Sequence, residues 1–288
     1  MLSPSIPNCC YCIHCNPQST NYLLNCCDFF PLRALSIPAV VWLASLCKIL
    51  HSSFYPHQSS FLNNNNNNNA GSIQKKNVLF VIAHPDDESM FFSPTINHLT
   101  SRGHNIHILC MSTGNADGIG DVRKEELYKA SVILKVPLQQ VTTIDHPDFQ
   151  DGFGKVWNSS KLSKILEKKI LAHAIDMIIT FDNYGVSGHC NHRDVHQGVR
   201  RFTLDTSEKD IEAWELVSSN IVRKYSGPID IWLSFWTLKG EMHCLVNEHP
   251  LRSYAAMSQH LSQWVWFRKL FVSFSSYTYV NTLRKINK

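Results

Sequence analysis

From Asn77 onward, short apolar runs alternate with longer stretches of mixed polarity. Val78-Leu79-Phe80-Val81-Ile82-Ala83 is apolar without a break and rich in branched side chains. That pattern predicts a strand buried on both faces. A helical stretch follows to about Arg102, where Gly103 stops it. Ile106–Met111 predicts a second strand, and Thr113-Gly114-Asn115 turns the chain out of it. Asp121 opens a helix with carboxylates in its first turn, and Pro137 ends it. Val141–Ile144 predicts a third strand, 160–173 a helix, and Asp176–Phe181 a fourth strand. Four β–α units in this order imply a mostly parallel, Rossmann-like α/β sheet with helices on both faces. Ligands in such sheets bind outside the carboxyl ends of the strands.

The first 76 residues read differently. Ala34–Cys47 carries no charge and lies between Arg33 and Lys48. If Lys48 snorkels, Ile49 and Leu50 extend the segment to roughly 17 residues, the low end for a bilayer span. Residues 34–50 are therefore expected to be a membrane anchor, with a cleaved targeting peptide as the alternative. Lysines after the segment outnumber the single arginine before it, which turns the following body towards the cytoplasm. Residues 1–33 form a Cys-rich leader, and 51–76, with the run Asn63–Asn69, a low-complexity linker that cannot pack a core. The catalytic domain is expected over 77–288.

Composition narrows the class. Of 288 residues, 44% are hydrophobic and 11% aromatic, which excludes a wholly disordered chain. A net charge of +4 with no basic stripe gives no reason to expect nucleic acid. Seven of the ten cysteines fall in the first 47 residues, leaving Cys110, Cys190 and Cys244 scattered through the body, as in a reducing compartment. Cys9, Cys10, Cys12 and Cys15 could bind zinc or carry lipid, but no second ligand pair follows at finger spacing.

The chemistry gathers at two strand ends. His84-Pro85-Asp86-Asp87-Glu88 follows the first strand. Three adjacent acids are costly to bury without a cation, and imidazole with carboxylate suits zinc. A helix N-cap would explain one or two of the acids but not His84. After the fourth strand come Gly185, Gly188, His189 and His192, with the two histidines three apart at an apparent helix start and His196 continuing their face. A catalytic zinc keeps three protein ligands and one open position. His84, Asp87 and one of His189 or His192 fill that count. Asp86 is then free to act as general base, and the remaining histidine can serve the oxyanion or the leaving amine. No Gly-x-Gly-x-x-Gly follows the first strand, which argues against a dinucleotide oxidoreductase. Thr113–Gly120 reads as a simple turn, and the sequon at Asn158 would stay unmodified on a cytoplasmic body.

Ala83–Glu88 and the later Gly188-His189-x-x-His192 resemble the PIG-L/LmbE zinc deacetylases, which have a Rossmann-like fold and act on N-acetylglucosamine conjugates. The resemblance implies that His84, Asp87 and His192 hold zinc, that Asp86 is the base and that His189 assists the transition state. It makes Arg123 a substrate contact. It also implies an acid after the third strand, for which Asp148 and Asp151 both qualify. The run Phe181–His192, with Ala256–Gln263 and Trp266-Phe267-Arg268, resembles the eukaryotic branch of the family, whose substrate is the glycolipid N-acetylglucosaminyl-phosphatidylinositol. That branch implies a place at the endoplasmic reticulum membrane in GPI-anchor biosynthesis. The aromatic and basic run Trp264–Val272 is patterned like an interfacial helix, although a core-packed final helix has the same composition. Two alternatives remain: a deacetylase of a soluble N-acetylglucosamine conjugate, or a non-catalytic, metal-dependent glycolipid-binding protein.

Overall fold

The computed structural model describes residues 29–52, 61–62, 74–152, 154–205 and 211–287, with side chains from residue 37. The leader cysteines up to Cys27 and the asparagine run lie outside these residues. Two compact units divide the chain, Met1–Leu43 and Ala44–Lys288, and the sheet and all the chemistry belong to the second.

A seven-stranded sheet forms the centre, in the order β3-β2-β1-β4-β5-β7-β6. The first five are β1 (Asn77–Ile82), β2 (Asn105–Cys110), β3 (Val141–Thr143), β4 (Met177–Phe181) and β5 (Glu212–Leu216). They run parallel, with Val78 level with both Ile106 and Met177. β7 (Val280–Lys285) then pairs antiparallel with β5 and with β6 (Met242–Val246), so the mostly parallel sheet carries an antiparallel edge. β1 sits in the middle because it is apolar on both faces: Val78 to Ala83 are fully buried.

Helices cover both faces. After β1 the single helix expected to Arg102 is two, α2 (Asp87–Met90) and α3 (Ser93–Ser101). Pro94 lies in the first turn of α3, where its missing N–H costs nothing, and forces the new start. α4 (Gly120–Ile133), α5 (Ser159–His173) and α7 (Cys190–Asp205) follow β2, β3 and β4, with the short turn α6 (Gly185–Gly188) leading into α7. α5 and α7 pack so closely that a Cβ on Gly198 would lie 2.3 Å from Leu162 Cδ2. The C-terminal part adds α8 (Ile221–Lys224), α9 (Asp230–Thr237), α10 (Pro250–Met257) and α11 (Trp266–Phe274).

The hydrophobic segment at 34–50 lies within a single helix, α1 (Phe29–Ser52), which contains Pro38. Among the described residues no helix is long and apolar enough to cross a membrane. The end of α1 packs on the body. Ile49 is buried with Ile231, Tyr279 and Val280, Trp232 donates its indole N–H to Ser45 Oγ at 3.0 Å, and the Lys48 ammonium stands 3.9 Å from the Trp232 ring.

Candidate active site

The strand order reverses between β1 and β4, and their carboxyl ends frame a crevice. His84 to Glu88 lie at one lip and Asp182 to His192 at the other. Asp87 is tied to the strand it follows: its Oδ2 accepts the backbone N–H groups of Ala83 at 3.0 Å and His84 at 2.9 Å. Its Oδ1 faces His192 Nε2 at 3.2 Å. Asp86 has φ 118°, a left-handed conformation that costs a non-glycine residue about 1–3 kcal/mol. The turn is held in place by its neighbours, since Glu88 Oε2 accepts the Asp86 N–H at 3.1 Å.

The second lip rests on Asp182. Its Oδ1 accepts the N–H groups of Tyr184 and Gly185 and the Ser218 hydroxyl, and its Oδ2 accepts the Ser218 N–H at 2.7 Å. This fixes Gly185 at φ +67°, with its carbonyl taking the Nδ1 proton of His192 at 3.0 Å. That bond orients the ring and turns Nε2 towards the crevice, opposite Asp87. A Cβ on Gly185 would lie 2.6 Å from the His192 Cβ, so glycine is required here on two counts. Val186 also has positive φ, 64°, which is strained for a β-branched residue. Its N–H is bonded to Ser218 Oγ at 2.8 Å and its carbonyl to Lys224 Nζ at 2.6 Å, and these two bonds hold the strain. The His192 ring stacks on Phe181, 4.1 Å between centroids.

The two lips bring three imidazoles together. One ring nitrogen from each of His84, His189 and His192 lies within 4.8 Å of the others, with Asp87 against His192. Burial pushes the His189 imidazole down to about 4, aided by the charges of His84 and His192, so it is neutral at pH 7. Burial also works against charge on His84, but its hydrogen bond to Asp151 and the charges of Asp87, Asp151 and Asp86 outweigh that and raise its pKa. Asp87 is buried as well, and His192 and His84 nevertheless hold it ionised far below the usual carboxylate range. Three nitrogen donors beside an ionised carboxylate are the donor set of a divalent transition metal, so the residues fit one. Cys110, behind the site, is no rival nucleophile: burial and the Asp87 charge push its thiol well up.

Arg123 enters from α4. It donates to Pro85 O at 2.7 Å, Gly114 O at 3.0 Å, Asp86 Oδ2 at 3.2 Å and Asp151 Oδ2 at 3.4 Å. The turn after β2 exists to admit it, because a Cβ on Gly114 would lie 2.5 Å from its Nη1. Of the two acids that qualified after β3, Asp151 reaches the cluster, 3.1 Å from His84 Nε2. Asp148 instead pairs with Lys161 and His146 and lines a cavity of about 280 Å³ with Lys155 and Trp157. His196 shares the helix face of His192 but is buried behind it, bonded to Phe181 O at 3.0 Å and near Glu215 at 3.4 Å, where it joins α7 to the sheet.

Three contributors fall in runs that carried the family resemblance but had no role assigned to them from sequence. Asn191, between the histidines, approaches His84 Nε2 at 3.2 Å and donates to Lys155 O at 3.0 Å. His260 Nε2 meets Glu88 Oε1 at 2.7 Å, both side chains fully buried. Arg268, on α11, pairs with Asp86.

A model of the PIG-L family, described as GlcNAc-PI de-N-acetylase, matches residues 79–203. The N-acetylglucosaminyl-phosphatidylinositol de-N-acetylase of Bos taurus is 36% identical over 206 residues, covering 71% of this chain and 81% of that protein. The probable enzymes of the same name from Dictyostelium discoideum and Schizosaccharomyces pombe are each 35% identical, covering 74% and 73% of this chain and 94% and 87% of their own lengths. Among solved structures, a deacetylase of the teicoplanin pathway superposes with a TM-score of 0.52 at 11% identity, covering 73% of this chain and 98% of its own. N,N'-diacetylchitobiose deacetylase from Pyrococcus horikoshii gives 0.52 at 14%, covering 84% and 91%. At such identities these two speak for the α/β fold alone. The curated relatives carry the family: this chain belongs to the PIG-L deacetylases.

Proposed function

We propose that the protein hydrolyses the acetamide of N-acetylglucosaminyl-phosphatidylinositol, giving glucosaminyl-phosphatidylinositol and acetate, a step of GPI-anchor biosynthesis. The observation that carries this reading is the convergence of His84, His189 and His192 beside Asp86 and Asp87, in a chain more than a third identical to the bovine enzyme of that name. We assign the metal as zinc, held by His84, Asp87 and His192. A zinc ion there would supply Lewis acidity towards the acetamide carbonyl and acidify the attacking water. Asp86 stands outside that ligand set and takes the proton from water as general base. The neutral His189 donates a hydrogen bond to the developing charge on the acetamide oxygen, and the proton taken up by Asp86 passes to the leaving nitrogen as the C–N bond breaks. Arg123 holds the carboxylates of Asp86 and Asp151 in register and faces the sugar. Asp151 orients His84 and contacts the sugar; Asp148 serves the sugar from the neighbouring cavity.

The same reading puts the enzyme on a membrane, the endoplasmic reticulum with the catalytic body on the cytoplasmic side. Two surfaces of the body support it. α11 exposes Trp266 (72%), Phe267, Leu270 and Phe274, and α8 and α9 expose Ile221, Val222, Phe235 and Trp236 (87%). Metal analysis of the purified protein, coupled to acetate release from the glycolipid and from a soluble N-acetylglucosamine conjugate, tests the assignment. Release from the glycolipid that a chelator abolishes and zinc restores is expected. Full metal occupancy with no acetate from either substrate would overturn the enzymatic reading, and release from the soluble conjugate alone would overturn the lipid one.

A further inference from the structure

Asp86 Oδ2 accepts from two guanidiniums of unlike construction. Arg123 is built in: its side chain is 7% exposed and also bonds Pro85 O, Gly114 O and Asp151. Arg268 is 24% exposed, and among the described residues its guanidinium has a single partner, Asp86. The helix that carries it exposes Trp266 and Phe267 just before it and Leu270 just after. One oxygen engaged by both arginines leaves little room for a water on that atom, and Asp86 needs one to act as a base. Arg123 is anchored by three further acceptors and Arg268 by none, so Arg268 is the partner that can leave. A long cationic side chain at the rim, released towards the exposed apolar side chains of its own helix, meets whatever anion a lipid-borne substrate presents there.

The geometry points to Arg268 as the residue that receives the phosphodiester of the substrate, exchanging Asp86 for the anion as the sugar enters. This rests on the glycolipid reading above and adds to it the group that reads the lipid linkage. A planar guanidinium can take two phosphate oxygens at once, whereas lysine offers a point charge. Arg268 is in this sense a specificity residue, and its effect should appear as a preference between substrates.

The experiment compares wild type with Arg268→Ala and Arg268→Lys on short-chain N-acetylglucosaminyl-phosphatidylinositol and on N-acetylglucosaminyl-inositol, which lacks the phosphate. The expected result is a fall of about ten- to a hundredfold in the ratio of kcat/KM for the phosphodiester over the phosphate-free substrate, carried mainly by KM. Arg268→Lys should recover part of that ratio. An unchanged ratio, with both substrates losing equally or neither losing, would overturn the assignment and leave Arg268 as a prop for Asp86. Calorimetric binding of glycerophosphoinositol gives a second readout that does not need turnover. Binding should weaken at least about tenfold in Arg268→Ala. Equal binding by wild type and variant, or equal affinity of wild type for inorganic phosphate, would refute the diester site. If wild type releases no acetate from the lipid yet binds glycerophosphoinositol through Arg268, the glycolipid hydrolase reading fails and this site stands.

Discussion

Replacing His260 by alanine isolates the contact that joins the far end of the chain to the catalytic motif. In the native fold Glu88 Oε1 meets His260 Nε2 at 2.7 Å and the Ser89 hydroxyl at 2.6 Å, and Oε2 takes the Asp86 N–H. Glu88 and His260 are both fully buried. Removing the imidazole leaves a buried carboxylate without its cationic partner, held only by the Ser89 hydroxyl and the Asp86 N–H, a loss of about 3–5 kcal/mol. Against a typical total stability of about 5–15 kcal/mol, that is a large share. For a domain of this size about 2–4 °C accompanies each kcal/mol, so Tm should fall by roughly 6–20 °C. Urea denaturation of wild type, His260→Ala, Glu88→Ala and the double variant would measure it. The double variant should be well short of the sum of the singles, because once the carboxylate is gone the imidazole's absence costs only packing. A His260→Ala variant within about 1 kcal/mol of wild type, or strict additivity in the cycle, would refute the claim that the buried pair secures the motif.

Three further outcomes are expected. Gly185→Ala meets the His192 Cβ at 2.6 Å and a positive φ, so it should lower metal affinity and activity together by an order of magnitude or more while the sheet stays folded; chelator competition with far-ultraviolet circular dichroism separates the two, and wild-type affinity would sink the idea. Gly198→Ala should destabilise by about 1–3 kcal/mol despite alanine's better helix propensity, because Leu162 Cδ2, Cγ and Cβ all lie within 2.9 Å of the added carbon; Leu162→Ala in the same chain should recover part of the loss. His98 is buried, and burial with the charges of Arg102 and His104 holds its imidazole down to about 3. Since the unfolded group titrates near 6.5, its contribution is complete above that pH and is lost as pH falls towards 3, at about 1.4 kcal/mol per pH unit. Stability curves from pH 7 to 4 should therefore be shallower in His98→Gln, and parallel curves would count against it.

What could be read from sequence followed the physics of burial. β1, β2 and β4 lie inside the sheet, so their sequences are dominated by apolar residues, broken past the opening asparagines of β1 and β2 only by His107 in β2 and Thr180 in β4, and their ends were located to within a residue. β5 and β7 escaped because charge interrupts them: Glu215 faces Arg284 in register, and Glu212 pairs with Lys285. Such ladders at the antiparallel edge look like loop in a single chain, since the partner that neutralises each charge is some 70 residues distant. The metal cluster was legible because each half is local, a His-x-x-Asp turn and a His-x-x-His helix start, each ending a readable strand. His196 misled for the same reason, since helical spacing gives the face but not the depth. Asp148 and Asp151 could not be told apart from sequence: Asp148 lies within a 3-10 turn, Pro147–Phe149, and pairs with Lys161, while Asp151, just after it, reaches His84.

The contacts made by His260 and Arg268 form a separate class, 172 and 182 residues from their partners. No spacing rule joins positions that far apart. Yet Glu88 and Asp86 are both buried acids, and each must meet a cation or donor somewhere in the fold. The cation expected beside them from the motif alone was the metal, with Asp87 as its ligand and Asp86 left free as base. The structure divides the burden instead. Asp87 faces the imidazoles, Glu88 is answered by His260, and Asp86 by Arg123 and Arg268. An acid that has its own protein partner does not need the metal to offset its burial. The C-terminal segment then belongs to the site as much as the motif does, and a chain ending before His260 would lose the ability to assemble the cluster even with every imidazole and carboxylate around the metal intact.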